Sequence, residues 1–183
     1  SDNTSTITTT VLSLNVAVSA SAGSTAVGFA LGAAAAVNYV GVDQRGRGMG
    51  DVHAYVRNSD IDITGNLLIT AQAAMTIRAT VIAASVGLTI SSDTAVAGAG
   101  AGSGAGNTIA VSTKAYAVTT SSDDAIRAAD VTVRALNTSD IRVITGAAAI
   151  AAAFGGGSTV AFAVAIAAAI NQIHTRTEAY IDG

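Results

Sequence analysis

Val96-Ala97-Gly98-Ala99-Gly100-Ala101-Gly102-Ser103-Gly104-Ala105-Gly106 alternates glycine with alanine or serine. Successive side chains of a strand point to opposite faces. This run therefore reads as a silk-like strand with one bare face. Asn107 follows it directly, and Tyr116 lies nine residues beyond. Asn171 and Tyr180 repeat that spacing of nine, and Ala-Tyr recurs at Ala54-Tyr55, Ala115-Tyr116 and Ala179-Tyr180.

The same phasing extends backwards. Ile77 precedes Asn107 by 30 residues, Ile141 precedes Asn171 by 30, and Arg78 and Arg142 follow the two isoleucines. Ile7 precedes Asn38 by 31, and Thr25, Thr94 and Thr159 fall 12 or 13 residues before the three asparagines. Self-similarity at a fixed period is the signature of a repeat architecture. The period is about 64 residues, seen two and a half times: 3–72, 73–136 and a truncated 137–183, together one continuous array. The first copy carries a loop insertion at 41–51, because Asn38 and Tyr55 stand 17 apart instead of nine. The linker after Tyr116 gains three residues around Ser121-Ser122-Asp123-Asp124. Length changes confined to Gly, Ser and Asp are what surface loops tolerate.

Composition limits what such an array can do. Half the chain is hydrophobic, but only 4% is aromatic and 11% charged, and Pro, Cys and Trp are absent. The core must be built from Ala, Val, Ile and Gly. Absent cysteine excludes disulfides, thiolate metal sites and cysteine nucleophiles. A net charge of −3 speaks against nucleic acid, which needs a basic face. Two histidines leave little for acid–base or metal chemistry, and no enzyme activity is expected.

Within each copy the period is two. Ile61-Asp62-Ile63-Thr64, Val131-Thr132-Val133-Arg134 and Ile141-Arg142-Val143 alternate, with the Thr, Val and Ile that strands favour. Ala147-Ala148-Ala149-Ile150-Ala151-Ala152-Ala153 carries helix propensity. Its counterparts Ser13-Leu14-Asn15-Val16-Ala17-Val18-Ser19 and Ala83-Ala84-Ser85-Val86-Gly87-Leu88-Thr89 read as strand, so all three are expected to be strands. The fold expectation is an all-β, elongated β-solenoid of stacked repeats with a small-residue core. Spacing leaves open whether each copy makes two long coils or three short ones. The charge-free runs between Asp2 and Asp43 and between Arg142 and Arg176 are long enough for a membrane span. Gly23-Ser24-Thr25 and Gly155-Gly156-Gly157-Ser158-Thr159 interrupt them, so they read as a dry inter-sheet core and not as a membrane partner. No signal peptide is visible.

Residues at one repeat position stack when copies pile along an axis. Asn38, Asn107 and Asn171 are expected to form an amide ladder, and Tyr55, Tyr116 and Tyr180 an aromatic one. The tyrosines set register by packing; as a surface they would suit carbohydrate, a host surface or another fibre. His53 and His174 occupy different repeat positions, which removes a histidine metal ladder and leaves His53 solvated. Gly102-Ser103-Gly104 lies inside the silk-like run and reads as packing, not as a hydrolase elbow. No cofactor is expected. Calcium is the one candidate, at Ser59-Asp60, Ser92-Asp93, Asp123-Asp124 and Ser139-Asp140, and Asx-turn chemistry explains those turns without metal. Arg45-Gly46-Arg47-Gly48-Met49-Gly50 lacks the Lys-Ser/Thr ending of a phosphate loop. It is expected to be a surface contact loop presenting Arg45 and Arg47.

Copies that end in Ala-Ala-Ala-x-Asn (Ala34–Asn38, Ala167–Asn171) run on to Ala-Tyr-Val or Ala-Tyr-Ile. The strand Ile63-Thr64-Gly65-Asn66-Leu67-Leu68-Ile69-Thr70-Ala71 follows in the first copy. These features resemble the Ala/Gly/Val-rich repeats of large secreted bacterial surface proteins, leukotoxin-like and filamentous-adhesin-like. The resemblance implies a solenoid shaft, export to the cell surface, and roles in adhesion, biofilm or toxicity. It carries over no functional residue. The expected function is a non-enzymatic segment or subunit of an extracellular fibre or adhesin shaft. A membrane-active, pore-forming toxin is the alternative. Surface or ice binding is a third reading, prompted by Thr6-Ile7-Thr8-Thr9-Thr10. Neither end reads as a polar cap, so copies or adjacent repeats are expected to pair head-to-tail.

Overall fold

The computed structural model describes residues 1–43, 45, 47–121 and 124–183. These form strands and no helix: β1 (Asp2–Ser21), β2 (Thr25–Val40), β3 (Gly50–Arg57), β4 (Ile61–Asp62), β5 (Asn66–Ser91), β6 (Thr94–Val118), β7 (Ile126–Arg127), β8 (Asp130–Asn137), β9 (Asp140–Phe154) and β10 (Thr159–Asp182). Every strand pair is parallel. In the first sheet β5 is central, with β1 on one side and β8 and β9 end to end on the other. In the second sheet β6 is central, between β10 and the end-to-end pair β2 and β3. β4 and β7 form a two-residue bridge where the chain returns from the second sheet to the first. The result is all-β and β-helix-like, as expected, with open sheets that do not close on themselves.

The central strands are long. β5 has 26 residues, or about 85 Å at roughly 3.3 Å per residue. At one end of the slab, tight turns at residues 22–24, 92–93 and 155–158 carry the chain across from the first sheet to the second. The third turn lies against the second. Gly157 N donates to Asp93 O at 2.9 Å, and a Cβ on Gly156 would sit 2.6 Å from the Ser92 carbonyl oxygen.

Pairing registers fix how the sequence segments align. Ser13 lies beside Ala83 and Ala83 beside Ala147. The alanine run is therefore strand in β9 despite its helix propensity. Its backbone groups join the β5 ladder, and this pairing outweighs a per-residue preference of a few tenths of a kcal/mol. Partners of β5 in β8 and β9 stand 64 residues on. A single pass through each sheet thus separates neighbouring strands, in place of two or three coils. The offset between β6 and its neighbour falls from 69 at Asn38–Asn107 to 61 at Tyr55–Tyr116. The inserted residues are taken up between β2 and β3. The loop ends at Met49, because Gly50 and Asp51 already belong to β3. Thr159 pairs with Ala95 and not with Thr94, so only two of the three threonines share a position. The register is 64 on both sides of that turn, Ile90–Phe154 before it and Ala95–Thr159 after it, so Thr159 simply occupies the position after that of Thr94.

The core lies between the two sheets and changes thickness along the slab. Val40, Val52, Met75, Ile77, Ile109 and Val111 fill its middle. Towards the tight turns the filling shrinks to Ala34, Ala36, Val81, Ala83, Ala101 and Ala105. The sheets then approach so closely that a Cβ on Gly32 would lie 2.6 Å from the Ala84 carbonyl oxygen. Only alternate residues of the apolar runs point inwards, however. Leu12, Leu14, Val16, Phe29, Leu31, Ile150, Val164 and Ile166 are all exposed. The expectation of a dry core is thus corrected: alternate residues of β2 are buried, β1 and β9 are at most half-buried, and β10 is exposed along nearly its whole length. These are edge strands of a two-layer slab that leaves its outer faces open.

Candidate functional site

The outer face of the second sheet combines the molecule's distinctive features. On β6 the even-numbered residues point outwards: Gly98, Gly100, Gly102, Gly104 and Gly106, then Thr108, Ala110, Ser112, Lys114 and Tyr116. The bare face of the silk-like strand is the solvent face. Beside it, β2 raises Phe29, Leu31 and Val37, and β10 raises Phe162, Val164, Ile166 and Ile170. Leu31, Ile166 and Ile170 are 79%, 66% and 66% exposed. Two aliphatic walls thus flank a glycine floor. Two strand spacings of about 4.8 Å put the walls roughly 10 Å apart. At the turn end the Phe29 and Phe162 rings lean together over Gly98, centroids 5.8 Å apart. The sequence reading found the floor but missed the walls. Their signal was the matching phase of alternate large residues in β2 and β10.

Further along the same face the groove gives way to polar groups. Tyr55, Tyr116 and Tyr180 stack face to face, neighbouring centroids 5.2 Å apart and planes within 9°. Parallel in-register strands place identical rings one strand apart, and the aromatic ladder follows from that spacing. One position nearer the core's middle, His53, Lys114 and Glu178 share a position. Lys114 Nζ lies 3.3 Å from Glu178 Oε2, and the Arg176 guanidinium hydrogen-bonds the same carboxylate. That hydrogen bond, with Lys114 behind it, holds the Glu178 carboxyl below the ordinary glutamate range. His53 is half-buried beside Tyr116, with Nε2 3.4 Å from Asp51 Oδ1. This corrects the expectation of a solvated imidazole: the tyrosine ring covers part of it.

The three asparagines come together on the opposite, inward face. Asn38 Nδ2 donates to Asn107 Oδ1 at 2.7 Å, and Asn107 Nδ2 donates to Asn171 Oδ1 at 2.9 Å. Thr9 Oγ1 donates to Asn38 Oδ1 at 2.6 Å, which ties the ladder to the first sheet. Asn38 and Asn107 are buried, and Asn171 is exposed at the edge.

The described residues of the insertion loop do not offer an anion cradle. Asp43 Oδ1 accepts from the backbone N–H groups of Arg45 and Arg47 at 2.9 and 2.8 Å, so an internal carboxylate occupies them. The Arg47 side chain lies 3.9 Å from Asp43 Oδ2, and both arginines are exposed. Gln44 and Gly46 of this insertion lie outside the described residues, as do Ser122 of the linker after Tyr116 and Asp123 of the Asp123-Asp124 calcium candidate. Asp140 is held by Arg142 at 2.8 Å. No group of three or more acidic or histidine side chains able to hold a metal occurs among the described residues.

Ser103 faces the inter-sheet core, 7% exposed, while His53 sits on the outer face beside Lys114. Ser103 and Lys114 are eleven positions apart along β6, about 36 Å at strand rise. No serine–histidine pair is assembled there. On the first sheet's outer face, Thr8 and Thr10 pair with Arg78 and Thr80, and those with Arg142 and Ile144. The threonines make no continuous array.

No protein-family model, curated protein or solved structure matches the chain. No helix among the described residues is long and apolar enough to cross a membrane.

Proposed function

We propose that this chain is a non-enzymatic structural protein: part of an extracellular bacterial fibre or adhesin shaft whose passes stack as a β-solenoid. In this reading β1, β2 and β3 of one copy or repeat pair head-to-tail with β9 and β10 of the next. One observation carries it, the length and bareness of the edge strands. β1 offers 20 residues and β10 offers 24, each with one side of its backbone unpaired. A strand edge of this kind templates another strand, and proteins that must stay separate blunt it with Pro, Lys, bulges or a covering element. The chain has no Pro, its single Lys lies on central β6, and β1 carries only Asp2 as a charged residue. The Asn and Tyr ladders supply register, since Asn171 and Tyr180 at the edge present what Asn38 and Tyr55 present at the other.

The test is electron microscopy of the purified chain together with hydrogen exchange at its edge strands. Filaments, with slow exchange across β1 and β10, are the expected result. A dispersed monomer whose β1 and β10 amides are nevertheless protected would overturn the reading, because something within the chain would then cover the edges.

A further inference from the structure

The chain's own side chains close over Gly98 (Phe29, Phe162) and Gly100 (Leu31), but from Gly102 to Gly106 the glycine floor is not a requirement of its own packing. Gly32 and Gly87 face inwards, where an added Cβ would meet backbone of the opposite sheet. Gly102 and Gly104 differ: a Cβ there would meet nothing within 4 Å, and at Gly106 only the Val37 methyls at 3.8 and 3.9 Å. Strand propensity disfavours glycine at all of these positions. The space they leave is open to an outside occupant.

The walls state how much that occupant must cover. Val27, Phe29, Leu31, Val37, Val160, Phe162, Val164, Ile166 and Ile170 are between 49% and 79% exposed. Together they offer on the order of 900 Å², where the largest patch on a typical monomer is roughly 300–600 Å² and a standard interface takes roughly 800 Å² per partner.

We propose that this face docks a second copy of the chain, about a two-fold axis parallel to the strands. The β10 side chains of each copy sit over the outward-facing β6 residues of the other. Such an axis reverses the order of strands but preserves position along them, and it makes the contact self-complementary. The β6–β10 register then dictates which residues meet. Val164, Ile166, Ala168 and Ile170 of one copy descend on Gly100, Gly102, Gly104 and Gly106 of the other, where the backbone is bare at Gly102 and Gly104 and edged by Leu31 at Gly100 and Val37 at Gly106. Gln172 falls on Thr108, Glu178 on Lys114, and Tyr180 on Tyr116. At these positions apolar meets open space, amide meets hydroxyl, and acid meets base; the groove used ends before Gly98, which Phe29 and Phe162 cover. No shift of one strand in the other direction does this, since β2 breaks off at Val40 and β3 begins at Gly50. This pairing is lateral and uses a face that head-to-tail assembly leaves free.

The experiment is sedimentation velocity, with negative-stain microscopy, on the wild-type chain and a Gly102→Val/Gly104→Val variant. An added Cβ at either position meets nothing within 4 Å, so the circular dichroism of the single copy is expected to match the wild type while the docking space is filled. The wild type is expected to sediment as a dimer, or to form filaments two copies wide. The variant is expected to fall to single width, with the lateral dissociation constant raised at least 100-fold and filament length unchanged. Loss of filaments with pairing retained would instead strike at the head-to-tail reading alone. A variant that pairs as tightly as wild type, or a wild type that stays unpaired at tens of micromolar, overturns the proposal. So does partition of both proteins onto phosphatidylcholine–phosphatidylglycerol vesicles without pairing, since filling the groove with valine preserves an apolar face for lipid but not a socket for a second copy.

Discussion

Replacing Asn107 by Ala tests whether the amide ladder holds the sheets in register. The side chain is 1% exposed, accepts a hydrogen bond from Asn38 Nδ2 and donates one to Asn171 Oδ1. Asn171 is exposed, and water replaces its lost partner, so that bond contributes about 1 kcal/mol or less. Asn38 is 7% exposed, and its Nδ2 would be stranded without an acceptor, which costs roughly 1–3 kcal/mol. The expected loss is about 3 kcal/mol. In a chain of this length that lowers the melting temperature by about 6–12 °C. Asn171→Ala is the control: it takes the acceptor from Asn107 Nδ2, but it opens that amide to the solvent at the exposed edge, so water replaces the lost partner and the expected cost is no more than about 1 kcal/mol. Urea unfolding of both variants provides the measurement, with the midpoint moving at constant slope. If Asn107→Ala lies within about 0.5 kcal/mol of Asn171→Ala, burial adds nothing to the ladder and the reasoning fails.

Two further outcomes follow from the same geometry. Gly87→Val forces a side chain into the Gly98 backbone across the core, and a loss of about 3 kcal/mol is expected from overpacking; a thermal melt indistinguishable from wild type would show that the sheets are not held so close. The Glu178 carboxyl titrates below its ordinary range in the folded chain, so its ion pairs stabilise the fold above the unfolded glutamate pKa and are lost as the pH falls through the lowered folded value. Melting temperature followed downward from pH 6 should therefore decline more steeply in the wild type than in Glu178→Gln, and parallel curves would remove Glu178 from the pH response.

Much of the architecture was legible because strand periodicity is simple. Alternation with a period of two, the recurring Asn and Tyr spacings and the Gly/Ala run required parallel strands in register, and both ladders follow from that register. The alanine run of β9 could not be read alone, since its local propensity pointed to helix. Only comparison with Ser13–Ser19 and Ala83–Thr89 gave strand, and pairing with β5 is what enforces it. The Asp43 contacts that close the insertion loop had no sequence signal beyond an Asp near two arginines.

Sequence by itself determined the class of structure, the phase of the repeated positions and the absence of cysteine chemistry, because these depend on covalent order and on which side chains alternate. Tertiary structure decided which of two alternating sets faces inwards. A one-residue change of phase would exchange core and surface in any strand, and the sequence of Gly98–Gly106 looks the same from either side. The choice falls to contacts across the slab: the alanines of β6 meet β5, the glycines face outwards, and the aliphatic side chains of β2 and β10 stand exposed around them. The groove is therefore a property of strands far apart in sequence brought side by side.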